Sequence, residues 1–170
     1  MTLAVVAILA MASLAQAQSS ASASATATAT ARIIHPITLC KTADLNFNGI
    51  ASGSSAGTVV VANNNTASYS GGVSPLTGSS ATPITAARFS VNGEPNLTYS
   101  ISNSGNSVTM TSGSNSMVCT LAAPAAVSGT LGTLSSTGHQ DFTVGGSLAV
   151  PANQASGTYV GSWTETVTYN

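Results

Sequence analysis

Gly157-Thr158-Tyr159-Val160-Gly161-Ser162-Trp163-Thr164-Glu165-Thr166-Val167-Thr168-Tyr169-Asn170 closes the chain. Odd positions carry Tyr159, Gly161, Trp163, Val167 and Tyr169, while positions 158 to 168 are Thr or Ser at every even number except Val160. Strict period two is the mark of a strand with one dry and one wet face. Only Glu165 interrupts the apolar side. Such a strand must lie on a core or on a partner, and its place at the end of the chain makes it available for pairing as an edge.

The same period runs backward from there to Arg32, broken by turn residues at short intervals. Expected strands are 33–39, 45–50, 58–62, 88–91, 97–102, 107–111, 117–121, 142–144 with 147–150, and 158–169. The turns between them are Asn63-Asn64-Asn65, Gly71-Gly72, Asn92-Gly93-Glu94-Pro95, Asn103-Ser104-Gly105-Asn106 and Ser112-Gly113-Ser114-Asn115. The last two have the Asn and Gly content of hairpin loops, so 97–121 reads as a three-strand meander. Pro36 places the first strand at an edge or at a switch between sheets. No helical period of useful length and no solenoid repeat is visible. The expectation is an all-β domain over 32–170, an immunoglobulin-like antiparallel β-sandwich of about seven to nine strands.

Composition narrows the function classes. The 170 residues include only three Lys+Arg and four Asp+Glu, 4% of the chain, for a formal net charge of −1. An ordinary domain has about 25% charged residues. Without a basic patch, phosphate-driven nucleic-acid binding has no source of affinity. The Glu/Lys/Leu vocabulary of helical bundles is missing, and 43% hydrophobic residues with almost no charge is not the signature of disorder. Serine and threonine, 27 and 23 residues, take the place of charge.

Leu3 to Leu14 is a short apolar run followed by Ala15-Gln16-Ala17. A bilayer-crossing helix needs about 20 residues. A shorter run ending in A-x-A is the secretory pattern, so residues 1–17 are expected to be a signal peptide cut after Ala17. Residues 1–2 supply no Lys or Arg, which puts the expected start upstream. The mature protein then has no membrane span and resides in the periplasm, at the cell surface or outside. Residues 18–31 alternate Ala with Ser or Thr and hold no large side chain. Methyl groups bury little area at roughly 25 cal/mol per Å². This stretch is either a solvated spacer or a donor strand for a neighbouring subunit.

Pro36-Ile37-Thr38-Leu39 with Ala43-Asp44-Leu45-Asn46-Phe47, then 87–93 running into Leu97-Thr98-Tyr99-Ser100-Ile101, then 144–150, 157–161 and 167–170, form an ordered set. That set resembles the secreted bacterial family catalogued as domain of unknown function 4402 (DUF4402). The family is similar to the pilins of chaperone–usher fimbriae. The resemblance implies an incomplete sandwich whose missing strand comes from a periplasmic chaperone and then from another subunit. In such pilins the last strand carries a penultimate Tyr and a Gly fourteen residues from the end, positions matched here by Tyr169 and Gly157. Strand addition takes affinity from main-chain hydrogen bonds and specificity from alternate side chains. The assembly residues implied are Gly157, Tyr159, Gly161, Trp163, Val167 and Tyr169, and the partners are copies of the chain or related subunits and a chaperone. The extension 18–31 departs from the pattern by carrying Ala where donor strands carry bulkier residues.

Two cysteines in an exported chain are expected to form one disulfide, Cys40 to Cys119. Closing so long a loop would stabilise by up to about 4–5 kcal/mol in the chain-entropy model. A tetrahedral zinc site from Cys40, Cys119, His35 and His139 lacks any local ligand pair, so no metal and no cofactor are expected. His139 lies in Gly138-His139-Gln140-Asp141 and reads as a turn residue, and no G-x-S-x-G elbow exposes a serine. Asp44, Glu94, Asp141 and Glu165 are too scattered to read as a carboxylate pair. No enzyme is expected. The chain reads as a structural surface subunit, with a monomeric module binding a surface glycan or cell-envelope partner as the alternative.

Overall fold

The computed structural model describes residues 22–78, 82–125 and 130–170. The expected signal segment 1–17 lies outside them. Residues 22–32 belong to a separate unit and are exposed without regular secondary structure. The unit 33–170 holds eleven strands among its described residues, and no described helix is long and apolar enough to cross a membrane. In chain order they are β1 (Thr38–Ala43), β2 (Ile50–Val61), β3 (Ala67–Pro75), β4 (Ala87–Asn92), β5 (Thr98–Asn103), β6 (Ser107–Ser112), β7 (Asn115–Leu121), β8 (Leu131–Thr133), β9 (His139–Val144), β10 (Gly146–Val150) and β11 (Glu165–Tyr169).

Every pairing is antiparallel, in three sheets of order β1-β4-β9, β3-β2-β10-β7-β6 and β11-β5-β8. All three contribute to one cluster of buried side chains. In β4 the alternation of Ala87, Phe89 and Val91 points inward, and Phe89 stacks on its cross-strand partner Phe142 with ring centroids 5.2 Å apart. β10 sets Leu148 between Val59 of β2 and Cys119 of β7. All three are buried, so this strand is packed on its face and paired on both edges.

Several expectations change. The first strand begins at Thr38 rather than at 33, and it is an edge, as Pro36 suggested. The stretch 45–50 contributes a bridge from Asn46 to Thr85 and, at Ile50, the first residue of β2. Gly71-Gly72 is not a turn but part of β3. A Cβ on Gly72 would strike the Ser55 carbonyl, so glycine serves here for the close approach of two backbones where β2 loops out opposite it. The meander over 97–121 does not form. Ser112–Asn115 is a hairpin turn with Gly113 at φ 59°, but 103–106 carries the chain from one sheet to another. There the Ser104 N–H donates to the Thr164 carbonyl at 2.9 Å and the Asn106 carbonyl accepts from Leu121 N at 2.8 Å. β8 went unseen because three residues, with Leu131 exposed, carry no readable period.

Candidate assembly surface

The closing segment keeps its alternation but not its pairing. From Tyr159 to Asn170 every odd residue is at least partly buried and every even one exposed. Only Glu165–Tyr169 is a strand, registered on β5 from Asn103 to Tyr99. Ahead of it, Val160 bridges Thr111 of β6 through hydrogen bonds of 2.9 and 3.1 Å. The segment therefore leaves the edge of the five-stranded sheet and joins the edge of a three-stranded one. Gly161 permits that passage: a Cβ there would lie 2.6 Å from a Val108 methyl and 2.8 Å from the Thr109 carbonyl. Gly157 abuts Ser112 in the same way but lies outside any strand.

The large side chains are tied by hydrogen bonds. The Tyr169 hydroxyl accepts from the Glu94 backbone N–H at 2.6 Å and donates to the His35 carbonyl at 3.0 Å. It occupies the space a Cβ on Gly93 would need. The Tyr159 hydroxyl donates to the Ala155 carbonyl and accepts from Gln154. Trp163 donates its ring N–H to Glu165 Oε1 at 2.8 Å. Glu165 is only 8% exposed, and its Oε2 is buried with no hydrogen-bond partner. Burial raises its pKa above the usual carboxylate value, and the Trp163 bond opposes that only in part. Val167 packs half-buried against the core.

Beside this segment lies a cleft of about 670 Å³ between Leu45–Ser52 and Gln154–Tyr159. Met110, Met117, Leu148 and Val150 form its apolar wall, and no lining side chain is charged. Its side-chain amides are already engaged: Asn46 donates to Thr82, Asn48 accepts from Thr82, and Gln154 donates to the Tyr159 hydroxyl. No local motif marked these residues in the sequence.

The expected disulfide is absent, because the fold separates the two thiols. Cys40 points outward from β1, where Leu39 takes the inward position, and is free and exposed. Cys119 points into the core from β7, in a different sheet, and is free and buried. Burial pushes its thiol pKa up to about 11, so it is a packing residue rather than a nucleophile. Among the described residues no three His, Cys, Asp or Glu side chains gather as metal ligands.

One polar group emerges that spacing concealed. Cross-strand pairing of β4 with β9 sets Ser90 opposite Asp141 and Asn92 opposite His139. His139 Nε2 lies 3.2 Å from Asp141 Oδ1, and Nδ1 lies 3.5 Å from Ser90 Oγ but 2.9 Å from Asn92 Oδ1. Arg88 binds Asp141 at 2.7 Å and, with lesser help from Ser90 and His139, lowers its pKa. A ring nitrogen that donates to an amide oxygen cannot also accept the serine proton, so the arrangement stabilises a sheet surface without activating a nucleophile. His139 is thus the first residue of a strand, not a turn residue.

The sequence model of the family described as "Domain of unknown function (DUF4402)" matches residues 37–169. No curated protein and no solved structure matches the chain.

Proposed function

We propose, from the premise that this chain belongs to the DUF4402 family, that it is an exported, non-enzymatic structural subunit of the bacterial surface that assembles by β-strand addition. In this reading the three sheets are the layers of an immunoglobulin-like, pilin-like sandwich, and the partners are other subunits and a periplasmic chaperone. The observation that carries it is the divided pairing of the closing segment. Val160 bridges β6 and Glu165–Tyr169 pairs with β5, so this segment lies along two sheet edges. Gly157, Tyr159, Gly161, Trp163, Val167 and Tyr169 are the residues that such a strand would present to an edge. Negative-stain microscopy of the purified protein, with and without residues 18–31, tests the reading. Filaments or closed oligomers that vanish on deletion are expected, and monomers in both preparations overturn it.

The cleft favours the second reading, a glycan-binding monomer, because it is concave and uncharged and sets the Tyr159 ring beside the hydroxyl residues Ser156 and Thr158. A glycan array distinguishes the two: a saturable signal lost on Gln154→Ala supports binding, and a blank array removes this reading.

A further inference from the structure

An exposed strand edge is a template for another strand, and stable proteins block their edges with charge, brevity, irregularity or a covering segment. Among the described residues, five of the six sheet edges are blocked in one of these ways. β1 carries Lys41 and a register shift between Lys41 and Ala43. β9 carries His139 and Asp141 and is capped by the bridge from Ala125 to Thr143. β6 is bridged at Thr111 by Val160, β8 is three residues long, and β11 carries Glu165. Among the described residues of the unit 33–170, β3 has none of these over Ala67–Ser70, where it runs in regular register with Val61–Thr58. Among the described residues its one partner strand is β2, and the residues looped out at the irregularity belong to β2, beyond Gly71. Alternate N–H and C=O groups of such a strand face away from its one neighbour.

We infer that β3 is a self-pairing edge that joins two copies of this chain in an antiparallel, two-fold β3–β3 contact. Charge selects the occupant. A strand paired with its own copy sets each side chain near its like, and like charges facing one another are destabilising. Ala67-Ser68-Tyr69-Ser70-Gly71-Gly72-Val73-Ser74-Pro75 holds no charge, whereas β1, β9 and β11 all do. The inward face supports the same occupant. Ala67, Tyr69 and Val73 pack against the core but stay only half-buried at the rim, and an added strand continues that face across the two-fold. Closed two-fold pairing is the commonest symmetry of soluble oligomers. This surface is distinct from the closing segment, and the inference stands whether or not that segment exchanges between subunits.

Sedimentation velocity of the purified chain over a wide concentration range is the test. A reversible dimer is expected, lost in Ser68→Lys/Ser70→Lys and kept in Thr166→Lys/Thr168→Lys, which charges the exposed face of β11 instead. A wild-type chain that stays monomeric overturns the inference, as does a dimer that survives the β3 substitutions or responds only to those on β11. Amide exchange of the unsubstituted chain gives a second readout should the lysine variant fail to fold. Protection of Ala67–Ser70 must rise with protein concentration while that of β11 stays constant; concentration-independent protection of β3 refutes the contact.

Discussion

β10 and the closing segment both alternate, yet they are held in opposite ways. β10 is flanked by β2 over Gly146–Val150 and by β7 over Gly146–Ala149, with Leu148 and Val150 buried. The closing segment touches one edge strand and then another, each on one side only. It also carries the stronger sequence pattern and the larger side chains. Periodicity reports which face is dry. It does not report how many neighbours a strand has, because hydrogen-bond partners come from elsewhere in the chain. The segment that looks most like a strand is therefore among the less secured, and its Tyr169 and Trp163 bonds supplement a short ladder.

Breaking β10 should cost most. Leu148→Ala removes a side chain that is 1% exposed, with an expected loss of about 2–5 kcal/mol in denaturant unfolding. If the loss is under about 1 kcal/mol, the two regions are not as unequal as their pairing indicates. Tyr169→Phe should cost less, about 1–3 kcal/mol, since it strips the partner from the Glu94 N–H. Its effect should be local, read as faster amide exchange in β11 and β5 with β10 unchanged.

Glu165 sharpens the comparison through pH. Its folded pKa lies above the unfolded one, so the native state holds a proton that the unfolded chain has released. That contribution is complete below the unfolded carboxylate pKa of roughly 4.3 and is lost as pH rises through the folded value. Glu165→Gln should therefore flatten the decline on that side and leave the protein more stable at neutral pH, by less than the Tyr169 change. Thermal unfolding across pH measures it, and identical curves for the two proteins would reject a strained carboxylate. The smallest effect belongs to Arg88→Gln, about 0.2–1 kcal/mol, because that ion pair is largely exposed. Asp141 has the opposite sign: its pKa is lowered, so its contribution is present above the unfolded pKa and is lost as pH falls through the folded one.

Much of the fold was legible where a short strand alternates between turn residues, as at Arg88–Val91, Ser107–Thr111, Met117–Leu121 and Ser147–Val150, each found within a residue or two. β3 was hidden because Gly71-Gly72 marks close backbone approach as readily as it marks reversal. The Ser90–His139–Asp141 ladder was hidden because its members are 49 and 2 residues apart and meet only through register. The disulfide expectation failed for a related reason: composition counts thiols, while parity along each strand decides which way they point.

The sequence by itself determined the all-β class, the dry face of each clear strand, the scarcity of charge and the family. These follow from local side-chain chemistry and from the two-residue repeat of an extended chain. Only the tertiary structure decided which strands pair, that Cys40 and Cys119 face apart, that Glu165 is buried with one oxygen unpartnered, and that β3, among the described residues, pairs with β2 alone. Each of these depends on contacts between residues distant along the chain, and a local pattern carries no information about which distant strand supplies the other half of a hydrogen bond.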